Sequence, residues 1–600
     1  MGLFRLEKRR GGGRPLLACA CLLLSCGGTA PAPAPPAHKP SARPAVPPAF
    51  SLAEPRSEAQ VAPPQGMSVL GDEIARAMKA LAPRGELAPY FIGQELTAYD
   101  LSRISATNGG LTTSNRVEMR TLMTDVRVGE HEFDSTHPVD GQSGEGGVTM
   151  APVAADAHDA LRYLAWQQID QVYESASERF LEVKSQSKVR VGIEDRTGDF
   201  SREQAVVHIG PPPPPLEHDA KDWELRVRML SARLRDRPGI HGADASLEAF
   251  TTLRWIVNSE GTRIQSGERY YRLTVSAHTR ADDGMELEHR EDFIATSQAG
   301  LPSEVELVRA VDRLGTELDA LRVAKPAAPF VGPAILAGRA AGVFFHETFG
   351  HRVEGERQKF EEEGQTFAKK LEERVMPAFL NVYDDPRLTR LGDVELSGFY
   401  RFDDEGVPAQ RASLVEAGIL KGFLMSRVPV RGVLRSNGHG RRMSGAAMGR
   451  QANLVIEPTE VVASDELRRL LIAEVKRQKK PYGLYFTEVE GGYTETDRFS
   501  TQGYKLLPVI VYRVFPDGKP DELIRGVDIV GTPLVSLTKV LAADDRYAVF
   551  NGICGAESGW IPVSAVSPSL LVQQIEVALR EKGDEKPPIL PPPPTSPGAR

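Results

Sequence analysis

The run AILAGRAAGVFFHETFGHRVE, residues 334–354, decides how the chain is to be read. Its first four residues are apolar and few enough for a short buried strand, and from Gly338 the spacing predicts a helix to about Glu354. Toward the C-terminus strand-like runs dominate, at 379–383, 412–416, 419–425, 484–489, 504–514 and 570–577. One clear helix interrupts them at 464–476, with Leu467, Leu470, Leu471 and Val475 on one face and Ser464 as its N-cap. Toward the N-terminus the pattern predicts a helix at 68–81, strands at 95–108 and 116–128, and a long amphipathic helix at 157–183. A helix at 223–234, strands at 247–258 and 268–278, and a helix at 301–322 follow. Helices and strands do not alternate regularly, so the expected class is α+β with antiparallel and mixed sheets, not a doubly wound sheet. The stretch 325–329, KPAAP, marks a boundary between an N-terminal α+β domain, 67–328, and a C-terminal domain, 329–583.

The ends of the 600-residue chain belong to neither domain. Residues 1–26 have the layout of a secretory signal: basic Arg5, Lys8, Arg9, Arg10 and Arg14, an apolar run at 16–24, then small residues. The apolar run is too short to span a bilayer. Leu-Leu-Ser-Cys-Gly at 23–27 resembles a bacterial lipobox, in which Cys26 becomes the lipidated first residue; plain secretion is the alternative, and Arg9-Arg10 also admits a twin-arginine reading. Residues 27–66 form a Pro/Ala-rich tether, with eight prolines between 31 and 48, and 584–600 form a proline-rich tail. The chain is therefore expected to be exported, as a periplasmic protein or a lipoprotein anchored to a bacterial membrane through its lipid alone. Lys and Arg number 73 against 81 Asp and Glu, a net charge of −8, which excludes a nucleic-acid binder held by a basic field.

Cysteine usage leads to the site. Cys19 and Cys21 leave with the signal and Cys26 is acylated, so Cys554 is the one thiol of the exported chain. It is a buried small residue, a reactive group or a metal ligand. His346, Glu347 and His351 lie on the predicted helix. Two imidazoles and a carboxylate within six residues suit a hydrolytic zinc centre, with neutral nitrogen ligands and a base placed to take a proton from the attacking water. On a regular helix, positions five apart are turned about 140° from each other. Either a π-type bulge brings the two rings onto one face or the helix breaks near Gly350; the bulge is the expectation adopted. Cys554 is the candidate third ligand. Glu354 is the runner-up, and suits better the role of acceptor for a ligand's ring N–H. Ligand type alone does not exclude iron or another metal.

These residues resemble the TldD/PmbA peptidases, specifically the TldD-like branch, over most of 67–580 and most strongly from Gly332 onward. The stretch 342–355, GVFFHETFGHRVEG, is similar to the family's HExxxH helix. Residues 402–411 (FDDEGVPAQR), 418–422 (GILKG), 437–442 (NGHGRR) and 552–555 (GICG) followed by 561–563 (IPV) are further matches. The resemblance implies a zinc metallopeptidase in which His346, His351 and Cys554 hold Zn2+ and Glu347 is the general base. It also implies a dimer, commonly a heterodimer with a metal-free TldE/PmbA-like relative, that encloses a chamber admitting unfolded peptides. Two features depart from the pattern: the export signal, and the segment 357–373 with its Glu361-Glu362-Glu363 run.

Asp404 is read as a substrate or supporting group or as part of a solvated acidic turn; Arg441 and Arg442 as anchors for a peptide carboxylate or a solvated pair; His439 as an oxyanion donor. The expected function is an exported zinc-dependent peptidase. The competing reading is a lipid-anchored, non-catalytic binding or assembly protein with a structural metal site.

Overall fold

The computed structural model describes residues 42–53, 63–138, 148–153, 158–187, 197–580 and Leu590. The expected signal and lipobox, residues 27–41 and 54–62 of the tether and all but Leu590 of the tail lie outside them.

The N-terminal half is built on five long antiparallel strands, β1 (Pro89–Thr107), β2 (Gly110–Glu130), β3 (Ile240–Asn258), β4 (Arg263–Arg280) and β5 (Glu286–Ala295), in the order β5-β4-β3-β1-β2. Along β3 the buried residues Ala243, Ala245, Leu247 and Ala249 recur at every second position, the strand period that gives a sheet one core face. Helices α3 (Ala220–Arg235) and α4 (Glu304–Val323) close that face with Trp223, Leu230, Leu314 and Leu318. The other helices, α1 (Gln65–Leu81) and α2 (His158–Ser187), pack Leu70, Ile74, Ile169 and Val172 against Ile92, Leu122 and Val126. The start of α4 is set by a capping box between Ser303 and Glu306, which satisfies two backbone donors left over at a helix start.

The C-terminal half contains β6 (Phe330–Leu336), α5 (Gly338–Thr348), β7 (Leu380–Asp384), β8 (Ala412–Glu416), β9 (Asn453–Pro458) and α6 (Ser464–Arg477). Its remaining strands of five or more residues are β10 (Gly483–Thr494), β11 (Tyr504–Val514), β12 (Val527–Gly531), β13 (Ala548–Ala556), β14 (Gly559–Ser567) and β15 (Leu570–Leu579). The order β11-β10-β6-β15-β12 closes into a ring, because Tyr504–Leu506 of β11 also pair with Ile529–Gly531 of β12. Within it β6 and β10 run parallel and the remaining neighbours antiparallel. A second sheet has the order β8-β7-β9-β14-β13, with β13 at its edge.

Helix α5 is buried between the ring and the second sheet, its Ala340, Ala341, Phe344 and Phe345 sharing one core with Leu454 and Ile456 on one side and Phe486, Leu506 and Val572 on the other. An apolar helix buried on all sides is what the uninterrupted run 340–345 calls for. The class is α+β with antiparallel and mixed sheets.

One local expectation changes, and short pairings fall in the segments read as boundary and tether. Ser464 opens α6 as its first helical residue, while Ala463 is the N-cap; the Ser464 hydroxyl instead bonds Asp544 Oδ2 at 2.8 Å. The segment Lys325–Pro326 pairs with Ile524 and Arg525 as a strand. Within the stretch read as a tether, Arg43–Pro44 pair with Val461 and Glu460, and Phe50–Leu52 with Leu388–Leu391, so this part is strapped onto the C-terminal half. No described helix is long and apolar enough to cross a membrane.

Candidate metal centre

Helix α5 ends at Thr348 and a 3-10 turn, Gly350–Val353, follows it, with Phe349 between them at φ −122° and ψ −53°. The helix therefore breaks, and the π-type bulge expected from the spacing is corrected. The break is held from outside the helix. Gly350 lies against Gln451, where a Cβ would come within 1.9 Å of Oε1. Arg352 reaches back to the Glu347 carbonyl at 3.0 Å and across to Thr494 Oγ1 and the Glu495 carbonyl. A bulge inside a continuing helix would carry residues 350–353 away from these partners.

The break brings the donors together. A nitrogen of His346, a nitrogen of His351 and Sγ of Cys554 all lie within 4.8 Å of one another, and all three residues are buried. His351 Nε2 is 3.3 Å from Sγ, and the two imidazole rings stand 4.8 Å apart at 81°. Around a tetrahedral ion with bonds of about 2.0–2.3 Å, neighbouring N and S ligands sit ~3.5 Å apart. Donor chemistry and spacing thus fit one transition-metal ion held from three sides. Although burial alone would raise it, the Cys554 thiol is held well below its usual value by His351 and His346. The His351 imidazole is lowered by burial but raised further by Cys554 and Glu354, ending well above its usual value. A negative sulfur beside a positive ring is a site in which a cation can replace a proton.

Glu347 packs beside the two rings. Among the described residues its buried Oε2 has no hydrogen-bond partner, and burial, partly offset by His346 and His351, raises its carboxyl above the usual value. The fit on its other side is close: a Cβ on Gly492 of β10 would lie 2.7 Å from Glu347 Cγ. Glu354 Oε1 faces His351 Nδ1 at 3.0 Å, which directs Nε2 toward the sulfur, and Glu354 Oε2 accepts from Arg357 Nε at 2.7 Å. Burial raises the Glu354 carboxyl, but His351 and Arg357 outweigh it and bring it to about 2. Arg357 also bonds Glu363 and Glu557, so the acidic segment after the helix is anchored at this residue.

The remaining candidates lie in other surroundings. Asp404 is buried and pairs with Arg254 of β3, lies 3.6 Å from Arg441, and accepts the Arg442 N–H at 2.6 Å. Arg442 in turn reaches Glu95 of β1 at 3.2 Å. The reading of these groups as a solvated turn and a solvated arginine pair is corrected: the N-terminal sheet covers them, and none of these contacts involves the three donors. His439 is fully buried; its Nδ1 faces Asn437 Oδ1 at 2.9 Å and its Nε2 faces Asp384 at 3.3 Å, which leaves no ring N–H for an oxyanion.

Sequence reasoning passed over Arg450, fully buried, whose Nη2 lies 3.3 Å from Cys554 Sγ. It also passed over Arg352, Arg357 and Gly492. The one hint for Arg450 was a lone charge inside the small and apolar run AAMGRQANLVI, 446–456.

Residues 331–579 match the family model described as the PmbA/TldA metallopeptidase C-terminal domain. A Haemophilus influenzae metalloprotease TldD homolog is 29% identical over 251 residues, 41% of this chain and 48% of the relative. A metalloprotease of Archaeoglobus fulgidus is 31% identical over 240 residues, 40% and 51% of the two chains. A zinc metalloprotease TldD homolog of Saccharolobus solfataricus is 24% identical over 256 residues, 41% and 51%. The matched region thus spans about half the length of these relatives. Among solved structures, TldE from Thermococcus kodakarensis shares the fold, with a TM-score of 0.53 at 15% identity over 84% of this chain and 100% of that one.

Proposed function

We propose that this chain, whose residues 331–579 match the PmbA/TldA metallopeptidase C-terminal domain, is an exported zinc-dependent peptidase of the metal-bearing, TldD-like branch of that family, cleaving unfolded peptides. The observation that carries the reading is the convergence of His346, His351 and Cys554 within 4.8 Å beside a glutamate whose Oε2 has no partner among the described residues. Two nitrogens and a sulfur suit zinc, and three protein donors leave a position for substrate. The name of the Saccharolobus relative supports the same metal.

In this reading His346, His351 and Cys554 hold the ion. When bound, zinc would supply Lewis acidity toward the scissile carbonyl. Glu347 Oε2 accepts the proton of the attacking water and passes it to the leaving amine, a task helped by a carboxyl that burial holds above its usual value. Glu354 keeps the His351 proton on Nδ1 and so presents Nε2 to the ion. The substrate lies extended: β13, which carries Cys554, is an edge strand, and residues 488–494 of β10 pass Glu347 beyond the pairing of β10 with β6. Main-chain pairing at such edges binds peptides with little sequence preference. The likeness to TldE supports a partner of the same fold, a metal-free relative, in a heterodimer. Export, with a lipid on Cys26 as the membrane attachment, belongs to the same proposal and is tested by labelling cells with a fatty-acid analogue.

The test of mechanism is Glu347→Gln. It should retain one zinc per chain and lose about 10²–10⁴-fold in peptide turnover; turnover equal to the unaltered protein would remove the glutamate from the reaction.

A further inference from the structure

Arg450 lies just ahead of β9 in the chain and reaches Cys554 on β13. Its guanidinium is fully buried, and a buried cation must find acceptors for its donors or pay for desolvation. Nη2 bonds the Cys554 carbonyl at 3.0 Å and lies 3.3 Å from the Cys554 sulfur, so a single nitrogen grips both the backbone and the side chain of one residue. Nη1 bonds Ser558 Oγ at 2.9 Å and the Gly559 carbonyl at 3.2 Å, across the turn from β13 to β14. Nε lies 3.6 Å from Glu354 Oε1, the oxygen that faces His351 Nδ1. The main chain is fixed as well, since the Arg450 N–H donates to the His439 carbonyl at 2.9 Å.

We propose that Arg450 is a positioning residue of the metal centre: by donating to the Cys554 sulfur and pairing with the carboxylate that orients His351, it fixes the sulfur's direction and limits its electron donation to the ion. The proposal rests on the metal-centre reading above. The geometry assigns the role to arginine in particular. A planar fork reaches the sulfur, the hairpin turn and the carboxylate at once, whereas a lysine ammonium is a single point charge on a flexible stem. Charge-assisted bonds to a negative acceptor are also about twice as strong as neutral ones. A sulfur that accepts such a bond gives less charge to its metal, which leaves the metal a stronger Lewis acid.

The experiment replaces zinc with cobalt(II) in the full-length protein and in Arg450→Met, Arg450→Lys and Ser558→Ala. It reads the sulfur-to-cobalt charge-transfer band, the cobalt dissociation constant by chelator competition, and the melting temperature of each metal-free protein. Arg450→Met should move the band to lower energy and weaken cobalt binding about 10–100-fold, the range for partners of metal ligands. Arg450→Lys should fall between, and Ser558→Ala, which loosens only the turn, should leave the band in place. If Arg450→Met does not fold, the lysine variant alone carries the band shift. Should Arg450→Met or Arg450→Lys bind cobalt with the band unmoved, Arg450 is merely a brace for the hairpin and the proposal falls. Absence of any charge-transfer band in the unaltered protein would instead overturn Cys554 as a ligand, and Arg450's role with it.

Discussion

Gly492→Ala tests the positioning of Glu347 without touching a metal donor. The new methyl carbon would sit 2.7 Å from Glu347 Cγ, 2.9 Å from the Lys505 carbonyl oxygen and 3.1 Å from Glu347 Oε1. Non-bonded carbons prefer about 3.5–4.0 Å, so something must give by roughly 1 Å. The Lys505 carbonyl belongs to the ladder in which Tyr493 pairs with Lys505 and Gly492 with Leu506, and moving it would open the β10–β11 pairing. The Glu347 side chain is the softer partner and is pushed away from its place beside the rings. A misplacement of ~1 Å at a reacting group costs about 10²-fold in rate, equivalent to about 2.7 kcal/mol, while overpacking destabilises the fold by roughly 1–3 kcal/mol. The assay is turnover of an unstructured peptide, with the zinc-to-protein ratio and the melting temperature measured on the same preparation. Expected are a hundredfold loss of turnover, retained zinc and a modestly lower melting temperature. Unaltered turnover, or zinc lost together with activity, would refute the assignment of Glu347 as a non-ligand base pressed against β10.

Gly350→Ala should do the opposite: its Cβ would meet Gln451 Oε1 at 1.9 Å, so the turn carrying His351 is displaced and zinc content falls with activity, as elemental analysis would record. Dialysis against a strong chelator should abolish turnover and lower the melting temperature, with both restored by added zinc, because a ligand bound only by the folded state stabilises it; full activity in metal-free protein would contradict the site. Burial, with Asp404 adding to it, pushes the Asp403 carboxyl from 3.8 up to about 7 against the pull of the Val407, Gly440 and Glu405 N–H groups. The folded state therefore binds this proton more tightly than the unfolded one. Its contribution to stability is full below about pH 4 and is lost as pH rises through about 7. In Asp403→Asn the melting temperature should drop overall but decline less steeply over that window, and an unchanged slope would dismiss the group.

The residues proposed to carry the chemistry were legible because their identity announces them: two histidines, a glutamate and one remaining thiol have few uses in combination. Their geometry was not. Whether the turn after Thr348 bulges or breaks depends on Gln451 and Thr494, more than a hundred positions away, and local periodicity holds no trace of either. Asp404 read equally well as a solvated turn because its cover, Arg254 on β3, comes from 150 residues upstream. Arg450 was silent for the same reason, being 104 positions from the sulfur it faces. Helix and strand positions came through largely from apolar spacing, which burial in the two cores enforces; the closure of the ring depends on pairings between β11 and β12 that no spacing records.

The separation of 203 positions between His351 and Cys554 also sets a timetable. At synthesis rates of about 5–20 residues per second, some 10–40 s pass between the emergence of the imidazoles and that of the sulfur. The ring that packs against α5 then still awaits β15, which pairs with both β6 and β12. On the proposed reading, peptide cleavage therefore awaits the finished fold, because no shorter nascent chain holds all three donors.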